Sequence, residues 1–170
     1  MKAISILLRA IFGGVFIFSG FVKAVDPWGT AYKIEEYIAV FGMNWLTDAI
    51  SFLPITLSIL LSSLEFMIGV LIFFGFFPKL SKYSAAIIMG FFTILTFIDA
   101  LTNKVDDCGC FGDAIKLTNW ETFWKNIVLD VILVGIILLE RKMELSVSKV
   151  NSKLLTSVFG IFIIFFSIYS

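Results

Sequence analysis

Long apolar segments separated by shorter polar ones are the dominant pattern of the chain. Four of these segments have the length that a membrane-spanning helix needs, about 20 residues, and they cover residues 4–25, 52–77, 83–101 and 120–139. A fifth apolar segment, residues 154–169, is barely long enough. The pattern therefore predicts an all-α integral membrane protein, with an antiparallel four-helix transmembrane bundle and a fifth C-terminal span.

The segment between the first two spans is too polar to cross a membrane. Ala31, Ile34, Ile38 and Phe41 recur there at helical spacing, with charged residues on the other side of the same helix. A helix of this kind lies in the plane of the membrane surface. We predict an interfacial amphipathic helix at about residues 29–41.

The composition agrees with a membrane protein. Of the 170 residues, 59% are hydrophobic and 15% are charged, whereas soluble domains carry about a quarter charged residues. The net charge is zero and no basic tract occurs, so we expect a lipid bilayer and no nucleic acid as the partner. We predict one membrane domain, residues 1–142, followed by a linker and the fifth span, residues 143–170.

The distribution of basic residues predicts the orientation. If the N-terminus is cytoplasmic, most lysine and arginine residues lie on the cytoplasmic side: Lys2, Arg9, Lys79, Lys82, Arg141, Lys142, Lys149 and Lys153. Cytoplasmic loops of membrane proteins carry this excess. We therefore predict a bacterial inner (cytoplasmic) membrane protein with a cytoplasmic N-terminus, whose loop between the third and fourth spans is periplasmic.

That loop contains the only two cysteines of the chain, Cys108 and Cys110. Two thiols one residue apart can form a small-ring disulfide, and Gly109 accepts the positive φ that such a ring requires. A bridge that closes almost no chain adds little stability through loop entropy, which favours redox exchange over a structural disulfide or two incidental thiols. Phe111 should draw Cys110 towards the bundle and leave Cys108 as the more exposed thiol. No metal site is expected, because zinc needs three or four ligands and the chain has no histidine.

Acidic residues within the spans are the second set of candidates. Glu65 and Asp99 lie in apolar segments, where ionisable groups are costly and indicate function by default. Their functional role would be proton handling, because disulfide formation and quinone reduction both move protons. The structural alternative is bonding between helices, and Asp99 could pair with Lys104 or Lys23.

Asp130 in the fourth span has the same two interpretations. Asn126 precedes it by four residues and could bond to it within the helix. Small residues on the first two spans predict close contacts between helices; they are Gly13, Gly14, Ser19, Gly20, Gly69 and Gly75.

Several motifs resemble a known membrane superfamily. GFVKA at residues 20–24 and LEFMIG at residues 64–69 resemble the DoxX family, and CGCFG at residues 108–112, followed by residues 120–130, is similar to its MauE-type members. The resemblance covers about residues 5–140. It implies a four-helix membrane bundle, broadly like the helical core of vitamin K epoxide reductase homologues, and a part in disulfide formation in periplasmic partners.

This resemblance implies that Cys108 and Cys110 are the redox pair and that Glu65 and Asp99 are intramembrane acids of the family type. The leading hypothesis is a membrane thiol–disulfide oxidoreductase that exchanges electrons with a thioredoxin-like or client protein on the periplasmic side. A quinone is the candidate cofactor, because the chain has no further cysteine pair to carry electrons to the cytoplasm. The alternative is a non-catalytic membrane anchor or assembly subunit of a larger membrane complex.

Overall fold

The computed structural model describes residues 2–103, 105, 109–110, 117–143, 158 and 161. Within these residues the chain forms helices and no strand. The helices are α1 (Lys2–Val25), α2 (Pro27–Val40), α3 (Asn44–Ala49), α4 (Leu53–Phe74), α5 (Pro78–Thr102) and α6 (Asn119–Met143).

Four of these helices, α1, α4, α5 and α6, are long and apolar enough to cross a membrane. This confirms the prediction of an all-helical fold with four candidate spans. The predicted fifth span, residues 154–169, falls almost wholly outside the described residues and stays a prediction, as does the antiparallel arrangement of the spans.

The boundary between α4 and α5 follows local capping signals rather than hydropathy. Helix α4 ends at Phe74 because Gly75 adopts a left-handed conformation with φ of 74°, which is common just past a helix end. Helix α5 begins at Pro78, whose ring suits the first turn. Hydropathy places these boundaries later, at residues 77 and 83, because apolar residues continue past the cap and lysines lie at the start of α5.

Helix α2 covers most of the segment for which an amphipathic helix was predicted. The Asp26 carboxylate caps it by accepting a hydrogen bond from the Gly29 backbone N–H at 3.0 Å. The helix buries Thr30, Ala31 and Ile38 and packs against α4. Its position at the membrane surface stays a prediction.

Helices α1 and α4 approach each other to backbone contact. A Cβ added at Gly20 would lie 2.5 Å from the Phe66 backbone nitrogen, and one at Gly69 would lie 2.7 Å from the Ile17 nitrogen. Close contact through small residues was predicted for this pair of helices. At Gly14 the prediction is wrong, because a Cβ there would meet nothing within 4 Å.

The core of the bundle is apolar and draws on all four candidate spans: Phe12, Phe16, Ile68, Ile72, Ala85, Met89, Leu129, Leu133 and Ile136. An ionic cluster joins three of the helices, α1, α5 and α6. Glu140 lies there 3.5 Å from Arg9 Nη1 and 2.6 Å from Lys82 Nζ. A second polar cluster lies next to the cysteine loop.

Candidate functional site

A buried ion pair between α1 and α4 forms the centre of the second cluster. Lys23 Nζ lies 2.7 Å from both carboxylate oxygens of Glu65, and the two side chains are only 3% and 5% exposed. Charges are retained at such depth only when they are paired and hydrogen-bonded. The pairing of Lys23 with Asp99, considered as an alternative from the sequence, is therefore wrong.

Ser19 connects this ion pair to the cysteine loop. It lies one turn before Lys23 on α1, with its Oγ 2.8 Å from Glu65 Oε2 and 2.6 Å from the carbonyl oxygen of Cys110. The same Oγ accepts a hydrogen bond from Lys23 Nζ at 3.2 Å. A hydroxyl has a single proton, so Ser19 can donate either to the carboxylate or to the loop. The contact with Glu65 and the anchoring of the loop therefore compete for the same proton.

The described residues of the loop contact three different helices. Asn119 of α6 donates a hydrogen bond to the carbonyl oxygen of Val105 at 2.8 Å. Gly109 has the predicted positive φ, +60°, and a Cβ there would lie 3.1 Å from Lys33 Cγ of α2. Cys110 is 9% exposed, in agreement with the prediction that it turns towards the bundle. The loop is thus seated on the bundle at these points.

Cys108 and Lys104 lie outside the described residues. The role of Cys108 as the second thiol, and the pairing of Lys104 with Asp99, stay predictions.

A small cavity separates Cys110 from the ion pair. It has a volume of about 30 Å³, and its polar lining consists of Ser19, Lys23, Glu65, Cys110, Lys125 and Asn126. A space of this size can hold about one water molecule. Lys23, Lys125 and Glu65 are the charged groups of its lining.

The other acids of the spans bond to neighbouring helices. Asp99 accepts a hydrogen bond from the Tyr37 hydroxyl of α2 at 2.5 Å, and Asp130 accepts one from Thr93 Oγ1 of α5 at 2.7 Å. Asn126 does not serve Asp130, since its amide donates to another threonine of α5. The hydrogen bond to Thr93 therefore supports the structural interpretation of Asp130, which is bonding between helices.

Sequence reasoning identified Glu65 and Cys110 but missed how the structure groups them with Ser19, Lys23 and Lys125. Ser19 was assigned to helix packing, and Lys125 was given no role in a site. One signal was available: Ser19 and Lys23 are four residues apart and so share one face of α1.

Four candidate spans, an apolar core and a buried ionic cluster beneath a loop define a helical integral membrane protein. The chain belongs to the family of methylamine utilisation protein MauE, whose family model matches residues 1–139. The matched part contains three candidate spans, all but the last residue of the fourth, and the whole cluster around Glu65. No curated protein and no solved structure matches the chain. The MauE part of the resemblance is confirmed, whereas the wider DoxX assignment stays a prediction.

Proposed function

We propose that this protein is a membrane thiol–disulfide redox protein whose Cys108 and Cys110 cycle between dithiol and disulfide. The observation that carries the proposal is the position of Ser19 Oγ, which lies within hydrogen-bond distance of both the Cys110 carbonyl oxygen and the buried carboxylate of Glu65. A polar cluster at this depth is costly unless it serves a function, and its contact with the loop points to the chemistry of the cysteines.

The charges around the small cavity suit thiol chemistry. The attacking species in disulfide exchange is the thiolate, which forms where lysine or arginine lies nearby. Lys23 and Lys125 line the cavity together with Cys110.

Proton handling is assigned to Glu65. Disulfide formation releases two protons, and the Ser19 hydroxyl lies within hydrogen-bond distance of both the loop and this carboxylate. Asp99 is a second candidate for the same role, supported by its hydrogen bond with the exchangeable Tyr37 hydroxyl.

The orientation and the partner follow from charge and family. The excess of basic residues on the N-terminal side supports an inner-membrane protein with a periplasmic cysteine loop, where disulfides persist. The partner would be a thioredoxin-like or client protein of that compartment. The family description supports a place in methylamine utilisation, with residues 1–142 as the membrane domain and 143–170 as linker and fifth span.

A second function is a non-catalytic anchor or assembly subunit of a membrane complex. The hydrogen bond from Asn119 to Val105 favours it, because a loop fixed at its base can also present a constant docking surface.

A redox titration of the cysteine pair tests the proposal. Membranes are equilibrated across a glutathione series, and the reduced thiols are measured by the mass shift on alkylation. We expect a reversible midpoint between about −120 and −270 mV, the range of exchange proteins. A pair that stays oxidised below about −300 mV, or that never oxidises, would contradict the redox proposal.

The double variant Cys108→Ala/Cys110→Ala is the matched control, because it leaves the chain without thiols. Under the redox proposal this variant loses activity while assembly of any complex persists. Loss of assembly without a redox phenotype would favour the anchor function.

A further inference from the structure

A large lateral cavity lies between α2, α4 and α5. It has a volume of about 530 Å³, and its walls are mostly apolar, with Ile38 from α2, Leu57 and Leu61 from α4, and Phe91 and Leu95 from α5. The volume falls within the range of small-molecule sites, about 300–1,000 Å³. Because Leu57 and Phe91 are also exposed on candidate spans, the cavity is accessible to an occupant that dissolves in the bilayer.

One polar side chain in the wall lacks a partner within the described part of the protein. Thr30 is 4% exposed, and its Oγ1 makes no hydrogen bond there. Burying a hydroxyl without a partner costs free energy. If this side chain turns its hydroxyl towards the cavity, an occupant with a hydrogen-bond acceptor would remove this cost.

The charges in the wall are already neutralised. Lys23 pairs with Glu65 at 2.7 Å, and Lys33 pairs with Glu36 at 3.1 Å. The wall therefore offers the hydroxyl of Thr30 rather than uncompensated positive charge, which suits a neutral carbonyl group better than the phosphate of a lipid.

The cavity also adjoins the cysteine loop. Gly109 lines it, and the next residue, Cys110, lines the small cavity above the ion pair. Lys23 lines both cavities. An occupant of the large cavity would lie beside the loop that carries the thiols.

We propose that this cavity binds an isoprenoid quinone that accepts the electrons of the Cys108–Cys110 dithiol. The inference rests on the proposed thiol–disulfide function and names its electron acceptor and the site. The isoprenoid tail matches the apolar walls, and a quinone carbonyl is the acceptor that the Thr30 hydroxyl lacks. The chain has no further cysteines, so electrons cannot leave by a second thiol pair.

The reaction balances without another reactant. Two S–H bonds break and one S–S bond forms, which releases two electrons and two protons. The quinone takes up both electrons, and its two oxygens take up both protons to give the hydroquinone.

Quinone binding is measured first, separately from thiol chemistry. The full chain carrying Cys108→Ser/Cys110→Ser is titrated in detergent micelles with radiolabelled decylubiquinone, and with a short-chain menaquinone in parallel. We expect saturable binding of at least one of them. Thr30→Val, which keeps the side-chain shape, should weaken it about two- to tenfold through loss of one hydrogen bond. This variant removes an unsatisfied buried hydroxyl, so it should fold at least as well as the parent chain.

A matched pair of tryptophan substitutions tests the location. Leu61→Trp places a large ring in the cavity and should weaken binding at least about tenfold, since overfilling a packed site is strongly unfavourable. Leu60→Trp is on the same helix but does not line the cavity, and it should leave binding unchanged. No saturable binding, or equal binding by both variants, would overturn the site.

Electron transfer is then followed with the cysteines present. The reduced full chain should convert the quinone to hydroquinone, seen by the loss of quinone absorbance, and the cysteine-free chain should not. If the pair cycles with glutathione but no quinone binds, the quinone site is refuted and the thiol–disulfide function stands. If a quinone binds but the pair never exchanges with any thiol, the proposed function itself fails.

Discussion

The buried ion pair between Lys23 and Glu65 permits a quantitative prediction. At the observed 2.7 Å, two unit charges attract by about 6 kcal/mol with an effective dielectric constant of 20. The substitution Lys23→Met removes one charge and leaves a carboxylate in a site that excludes water. Because such a carboxylate can relax or take up a proton, we expect the free energy of unfolding to fall by about 3–5 kcal/mol.

A double-mutant cycle separates the interaction energy of the pair from the contributions of its surroundings. Glu65→Leu should also cost about 3–5 kcal/mol, because it leaves the ammonium group unpaired. The double variant Lys23→Met/Glu65→Leu should cost far less than the sum, since apolar replacement of both partners leaves no buried charge. The partly exposed pair between Lys33 and Glu36 on α2 is the control: Glu36→Gln should change stability by only about 0.5 kcal/mol.

Unfolding is followed by tryptophan fluorescence as SDS is titrated into mixed micelles of the full-length protein. Single variants within about 1 kcal/mol of the parent would refute a tightly paired, desolvated site. Additive costs in the double variant would refute direct coupling between the two side chains, even if each single variant is unstable.

Other contacts of the bundle give predictions of the same kind. Gly20→Ala should lower the free energy of unfolding by about 1–3 kcal/mol, because its Cβ would strike the α4 backbone. The control Gly14→Ala should leave the free energy of unfolding unchanged or raise it by up to about 1 kcal/mol. Equal effects of the two variants in the SDS titration would contradict the close approach of α1 and α4 at Gly20. Ser19→Ala should speed the alkylation of reduced Cys110 about two- to tenfold by releasing the loop. The rate is measured by mass spectrometry over time, and an unchanged rate would contradict the anchoring of the loop by Ser19. Glu140→Gln should cost about 1–3 kcal/mol in the same unfolding assay, because it weakens two partly buried ion pairs, and no loss would mean that these pairs contribute nothing.

The candidate spans were predictable from the sequence because they depend on a local property. A bilayer requires a certain length of apolar helix, and each segment satisfies this requirement by itself. The end of α4 at Phe74 was not predicted, because it depends on the left-handed conformation of Gly75 rather than on hydropathy. The aromatic residues after Gly75 are as apolar as those before it, so they conceal the turn.

The candidate site was predictable only as separate residues. Cys110 and Glu65 attract attention by type, one as half of the only thiol pair and the other as an acid within a span. The partner of Glu65 was not predictable, because Lys23 lies on another helix and the pairing depends on how α1 and α4 are rotated and offset. Those quantities are set by glycine contacts such as Gly20 against Phe66, which hydropathy does not measure.

These contacts connect helix packing to the chemistry of the loop. The close approach at Gly20 lies one residue after Ser19, whose Oγ is within hydrogen-bond distance of both Glu65 and the Cys110 carbonyl oxygen. A change in the spacing of α1 and α4 therefore alters the distance between the carboxylate and the loop, although it touches neither cysteine. If Glu65 serves the thiols through Ser19, Gly20→Ala should shift the redox midpoint of the pair as well as stability. The control Gly14→Ala should leave the redox midpoint unchanged, since a Cβ there meets nothing within 4 Å.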